Sequence, residues 1–148
     1  MPMKPAILDS KIVYSGYLTV ERLRIRLLDG AIVSREMERH GDAAAVLPYD
    51  AERRCALVAH LFRAPVFSAT GAAVLEEACA GQSLFLASYV PADRIGVGGG
   101  VIGEHEGITV VERPLLHIFR DIENGHVVDG KLATSIFALR LRRPGLFQ

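Results

Sequence analysis

The period of the apolar residues changes once along the chain, and that change limits the folds open to it. From residue 11 to residue 90 apolar side chains recur every second position or in short unbroken runs. After residue 114 they recur at helical spacing. Ile12, Tyr14, Leu18, Val20, Leu23, Ile25 and Leu27 alternate loosely with Thr19, Glu21, Arg24 and Arg26, the pattern of a half-buried strand pair over 11–28. Asp29-Gly30 follows as a hairpin signal, because glycine tolerates the positive φ of a tight turn. A third strand is expected over 31–38, a central strand over 43–48, and a polar turn over 49–54. Further strands are expected over 55–62, 74–80, 83–90 and 108–111. Leu115, Ile118, Phe119 and Ile122 then predict a helix from Pro114 to about Glu123, with Asn124-Gly125 as its stop. Leu132, Ile136 and Leu139 predict a second helix, with Asp129 as N-cap and Arg140, Arg142 and Arg143 at the C-terminal end of its dipole. Strands first and helices last read as α+β or mixed α/β.

At 148 residues one domain is expected, divided into an N-terminal β extension (1–40) and a core (41–148). Lysine plus arginine and aspartate plus glutamate both number 17, and a neutral chain makes a poor general binder of nucleic acid. Half of the residues are hydrophobic, which suggests apolar surface covered by a partner chain. Cys55 and Cys79 sit in apolar runs without metal or disulfide spacing and read as reduced, buried thiols. The first five residues, Met1 to Pro5, lack the long apolar region of a signal peptide, and no membrane span is expected, so a cytoplasmic location is inferred.

Several motifs invite chemistry. Gly98, Gly100 and Gly103 spell GxGxxG, but no helix opens after them, so a dinucleotide fold does not follow. No P-loop lysine, nucleophile elbow or HExxH is present, and His40, His60, His117 and His126 have no ligand spacing. Glu104-His105-Glu106 places two carboxylates two residues apart, able to hold a divalent cation or orient a water, or simply to be solvated. Arg63 ends an apolar run as a phosphate clamp or a surface arginine. Glu77 stands in an apolar strand, where an ionised carboxylate needs a metal or a salt-bridge partner.

These segments, taken in order, resemble a known family. The landmarks are Tyr17 to Val20, Arg35-Glu36, Gly41 to Pro48, Phe62-Arg63, Leu75 to Gly81, Phe85 to Tyr89, Gly98 to Val101, Glu104 to Val110, and Gly125 to Lys131. With them the chain resembles a Nudix hydrolase of the GDP-mannose and ADP-ribose pyrophosphatase type. The family's signature is G-x5-E-x7-R-E-U-x-E-E-x-G-U, U being aliphatic, a loop-helix-loop whose glutamates hold magnesium. Gly81 matches its opening glycine. Counting onward, the first Glu position is Ala87, the Arg-Glu pair is Ile95-Gly96, and the Glu-Glu pair is Gly99-Gly100. The resemblance therefore breaks off at Gly81-Gln82 and resumes at Ser83. A deletion of about fifty residues that removes the box helix and a following strand or loop explains the break.

The resemblance implies a Nudix-like mixed-sheet sandwich without its box helix, carrying an N-terminal antiparallel extension. It implies that Tyr17, Arg35, Glu36 and Arg63 contact a nucleotide sugar, and that Glu104 and Glu106 supply a catalytic base. It implies metal ligation by the Ala80 carbonyl and Glu106, and Glu77 is a further candidate ligand. Magnesium is the implied cofactor of any remaining activity, and a homodimer the implied assembly. Three functions stand open: a degenerate family member that binds nucleotide sugar without hydrolysing it, a working diphosphatase with a metal site rebuilt around Glu77, Glu104 and Glu106, and an oligomeric interaction module with no ligand.

Overall fold

The computed structural model describes residues 4–41, 44–78, 83–96, 98–99 and 107–148. The chain divides into two compact units, Met1–Asp42 and Ala43–Gln148. The first is a three-stranded antiparallel sheet in the order β1 (Ala6–Ser15), β2 (Thr19–Arg26), β3 (Ile32–Arg39). Its first strand begins five residues before the alternation that starts at Lys11, and the expected strand pair over 11–28 is broken by a turn at 16–18. The Asp29-Gly30 hairpin forms as read. Gly30 has φ +87°, and Asp29 Oδ1 accepts a 3.0 Å hydrogen bond from the Ala31 amide.

The second unit holds a mixed sheet of β4 (Ala44–Asp50), β5 (Cys55–Leu61), β6 (Leu75–Glu77), β7 (Ser83–Ser88) and β8 (Thr109–Pro114). Along one edge of β5, β8 pairs from Cys55 to His60. The other edge is shared, with β4 at Cys55-Ala56 and β6 from Ala59 to Leu61, so β4 and β6 diverge beyond β5. β4 continues outward to β7, a parallel neighbour paired from Ala44–Ser83 to Tyr49–Ser88.

Tyr49 and Asp50, expected in a turn, are the last residues of β4. Buried Asp50 shapes the turn after it, accepting from the Glu52 and Arg53 amides at 2.9 and 3.0 Å. The strand expected over 74–80 is only Leu75–Glu77 among the described residues; Cys79 and Ala80 lie outside them. Between β5 and β6 stands a helix the periodicity did not show, α1 (Ala64–Thr70), with Pro65 in its first turn and Gly71 at φ +76° as its left-handed stop.

The two C-terminal helices, α2 (Leu115–Glu123) and α3 (Gly130–Arg142), form where the apolar spacing puts them. Asp129 caps α3, its Oδ1 accepting from the Leu132 amide at 2.6 Å. Their stripes bury Leu115, Ile118, Phe119, Leu132, Ile136 and Leu139 against Leu47, Tyr49, Ala56 and Val58 of the sheet. Arg140 lies 3.7 Å above the Phe119 ring, and Phe147 closes the cluster from a terminal 3-10 turn (Pro144–Phe147). The helices cover one face of β4 and β5. They leave Leu84 and Phe85 of β7 exposed. No helix among the described residues is long and apolar enough to cross a membrane.

Candidate functional site

Glu76 and Glu77 are consecutive in β6, so their side chains leave opposite faces of the strand and enter different networks. Glu77 pairs across the ladder with Ala59 and is 3% exposed. A carboxylate so buried needs compensation. Arg63, between the end of β5 and the start of α1, donates through Nε to Glu77 Oε1 at 2.9 Å and through Nη2 to the same oxygen. Lys131 Nζ approaches the other oxygen, Oε2, at 3.7 Å, and also lies 3.1 Å from Oδ2 of Asp129. Two cations and two carboxylates thus close a neutral cluster, with the outer sides of Arg63 and Lys131 partly open to solvent.

This cluster bears on magnesium. The ion takes oxygen ligands in near-octahedral array, but both oxygens of Glu77 face a guanidinium or an ammonium. Glu77 in this arrangement does not fit a magnesium ligand, and it takes the salt-bridged alternative of the two that its sequence position left open. Among the described residues no group of three or more His, Cys, Asp or Glu is placed to hold a metal ion. Ala80, Glu104, His105 and Glu106 lie outside the described residues. The cluster is neutral overall, and the cations Arg63 and Lys131 are its partly exposed members.

The remaining candidates belong to the N-terminal unit. Tyr17 stands in the β1–β2 turn, 97% exposed. Arg35 of β3 donates to the Ser34 carbonyl at 2.8 Å, and Glu36 forms a 3.0 Å surface pair with Arg22. Lys131 and Asp129 carry no site role in the sequence reading, although both fall within its last landmark.

Glu76, on the other face of β6, joins a chain of polar groups. His60 Nε2 lies 2.9 Å from it, Arg113 Nη1 donates to both of its oxygens at 2.8 Å, and Arg113 Nη2 reaches Asp121 Oδ2 at 2.6 Å. His126 Nδ1 stands 3.6 Å from the other Asp121 oxygen. These groups line a cavity of about 570 Å³ together with the aliphatic side chains Val66, Val74, Leu75 and Val127. A third network runs from Arg53 to Glu112, from Glu112 Oε2 to the Tyr89 hydroxyl at 2.7 Å, and on to Cys55 Sγ at 3.6 Å. Burial raises the Cys55 thiol above its ordinary range, which lowers its thiolate fraction.

Two carboxyls in these networks are held below their ordinary range: Glu112, first by the Tyr89 hydroxyl and then by Arg53, and Asp121, by Arg113. A depressed folded-state value means that stabilisation is present above the unfolded value, about 4, and is lost as pH falls through the folded one. The thermal midpoint is therefore expected to drop on acidification below about pH 4. Glu112→Gln should lose less over the same range, and a parallel loss in both proteins would remove Glu112 from the explanation.

No model of a known protein family matches the chain. A curated relative, the GDP-mannose pyrophosphatase of Cronobacter sakazakii (strain ATCC BAA-894), is 25% identical over 189 residues, spanning 96% of this chain and 98% of that protein. Among solved structures, a crystal structure of an ADP compounds hydrolase is similar with a TM-score of 0.64 and 14% identity, over 98% of this chain and 97% of that one. The second likeness shows the fold: a mixed α+β architecture with an antiparallel N-terminal sheet and a mixed sheet. The chain is thus a distant homologue of a GDP-mannose pyrophosphatase over nearly its full length, the relationship implied by the Nudix landmarks. The matched stretch runs over 189 positions and takes in 96% of this chain's 148 residues, so about 47 positions have no counterpart here.

Proposed function

We propose that this chain is a silenced relative of nucleotide-sugar pyrophosphatases, which holds a nucleotide sugar weakly, without magnesium, and does not hydrolyse it. One observation carries the reading: counted from Gly81, every acidic position of the magnesium-binding box is occupied by an uncharged residue, Ala87, Gly96, Gly99 and Gly100. The alignment is longer than the chain by about the length such a deletion needs.

In this reading Arg63 and Lys131 do the binding. Glu77 holds both cations in place from behind, and their solvent-facing sides present positive charge to a diphosphate. Tyr17, Arg35 and Glu36 are the proposed contacts from the N-terminal extension, and the proposed assembly is a homodimer. Magnesium, in enzymes that use it for such chemistry, polarises the bridging phosphate and lowers the pKa of a bound water. A site rebuilt around Glu77, Glu104 and Glu106 would first have to displace Arg63 and Lys131 from Glu77.

Thermal-shift titration with GDP-mannose tests the proposal. At ligand about ten times the dissociation constant, the midpoint is expected to rise by roughly 3–5 °C with or without magnesium, and no product should form. No shift at any concentration would favour an interaction module without a ligand. A shift that requires magnesium and ends in product would favour a rebuilt enzyme.

A further inference from the structure

Glu77 and its partners occupy one face of β6, and Glu76 on the other face borders the cavity of about 570 Å³. The cavity is built wholly within the second unit, from His60 of β5, Val66 of α1, Glu76 of β6, Arg113 of β8, Asp121 of α2 and His126 of the connection that follows. Its volume falls in the range of sites for small molecules. So does its make-up, aliphatic side chains with a few polar groups drawn together.

The polar groups of this lining leave a charge imbalance. Arg113 directs Nη1 to both oxygens of Glu76 and Nη2 to Asp121 Oδ2, so two carboxylates share one guanidinium. No other Asp, Glu, Lys or Arg lines the cavity among the described residues. With His60 and His126 neutral, one negative charge is in excess, and the aliphatic surroundings screen it less than bulk water would. One acceptor is also left over. Asp121 Oδ1 receives no hydrogen bond from a described residue, since its nearest partner, His126 Nδ1, stands 3.6 Å away. An anionic ligand would find the guanidinium already engaged and two carboxylates beside it. A wholly apolar ligand would cover Asp121 Oδ1 without giving it a donor.

We propose that this cavity binds a small aliphatic amine in its ammonium form, the nitrogen donating to Asp121 and Glu76 and the hydrocarbon lying against Val66, Val74, Leu75 and Val127. The site is separate from the Arg63–Lys131 cluster and does not depend on the nucleotide-sugar reading. An ammonium has donors and no acceptor, which suits a lining whose free atom is a carboxylate oxygen. Its charge cancels the excess, and a hydrogen bond to Asp121 Oδ1 is charge-assisted on both sides. The aliphatic body removes the valine and leucine side chains from water.

Calorimetric titration of the full chain with hexylammonium, hexanol and hexanoate, which share one hydrocarbon body, tests this at neutral pH. Hexylammonium is expected to bind about tenfold or more tightly than either of the others. Asp121→Asn should weaken it by about tenfold, while Glu52→Gln, which removes the same charge from an exposed turn, should change nothing. Val74→Trp alters no charge at a position 62% exposed, and by narrowing the cavity it should also weaken binding. No binding of hexylammonium, equal binding of hexanol, or tighter binding of hexanoate would overturn the proposal. So would binding that survives Asp121→Asn and Val74→Trp alike, or that falls as far in Glu52→Gln. Backbone amide shifts of the wild-type protein decide the matter if the cavity variants misfold. Hexylammonium should move Leu75, Glu76, Asp121 and His126 most, and changes centred elsewhere would contradict the site.

Discussion

Purified protein given magnesium and either GDP-mannose or ADP-ribose is expected to release no product above background. Metal-dependent attack on a diphosphate needs a carboxylate cluster that holds the ion against the bridging phosphate and lowers the pKa of a bound water. Loss of the cluster at a cost of even ~5 kcal/mol of transition-state stabilisation slows the reaction by roughly 10³ to 10⁴. The positions after Gly81 offer no replacement, being Ala87, Ile95, Gly96, Gly99 and Gly100. Among the described carboxylates, Glu77 is already matched by Arg63 and Lys131. A coupled phosphate assay on intact protein reads the outcome. Turnover near one per second would mean that a working metal site exists after all.

The second large effect concerns stability. Arg63→Ala is expected to destabilise the protein by about 2–4 kcal/mol, below the full range for breaking a buried pair because Arg63 is partly exposed and Lys131 remains near. Glu77, 3% exposed, would lose its two hydrogen bonds from the guanidinium. Replacing both partners by apolar residues, Arg63→Met with Glu77→Leu, removes the unsatisfied buried carboxyl and should recover most of the loss. A double-mutant cycle by denaturant unfolding measures the coupling. If the two single losses simply add in the double variant, Arg63 and Glu77 are not the coupled pair described here.

Elements whose apolar stripe is complete were legible in the sequence. Leu132, Ile136 and Leu139 mark α3, Asp129 caps it as its position suggests, and the Asp29-Gly30 turn follows from glycine's freedom at positive φ. Helix α1 was not legible, because none of its seven residues is buried; it shows no stripe, only Pro65 near its start. The length of β6 was overread because Val74, exposed in the structure, extends the apolar run beyond the paired residues. The site was legible in part. Glu77 in an apolar strand announces a need for a partner, and Arg63 is prominent after Phe62. That the two answer one another, and that Lys131 joins them, depends on bringing β6, the start of α1 and the start of α3 together, which no local pattern encodes. The same holds for His60, Glu76, Arg113 and Asp121, which come from three strands and a helix. Alternation along β6 does reveal that Glu76 and Glu77 serve different faces.

The central claim is that no carboxylate cluster remains to grip a divalent ion beside a bound diphosphate. A crystal of the protein grown with GDP-mannose and magnesium tests it most directly. The expected density shows Glu77 still held by Arg63 and Lys131, with the diphosphate against the cations and no ion on Glu77, Glu104 or Glu106. A well-occupied magnesium ion coordinated by two or more of those glutamates would contradict it.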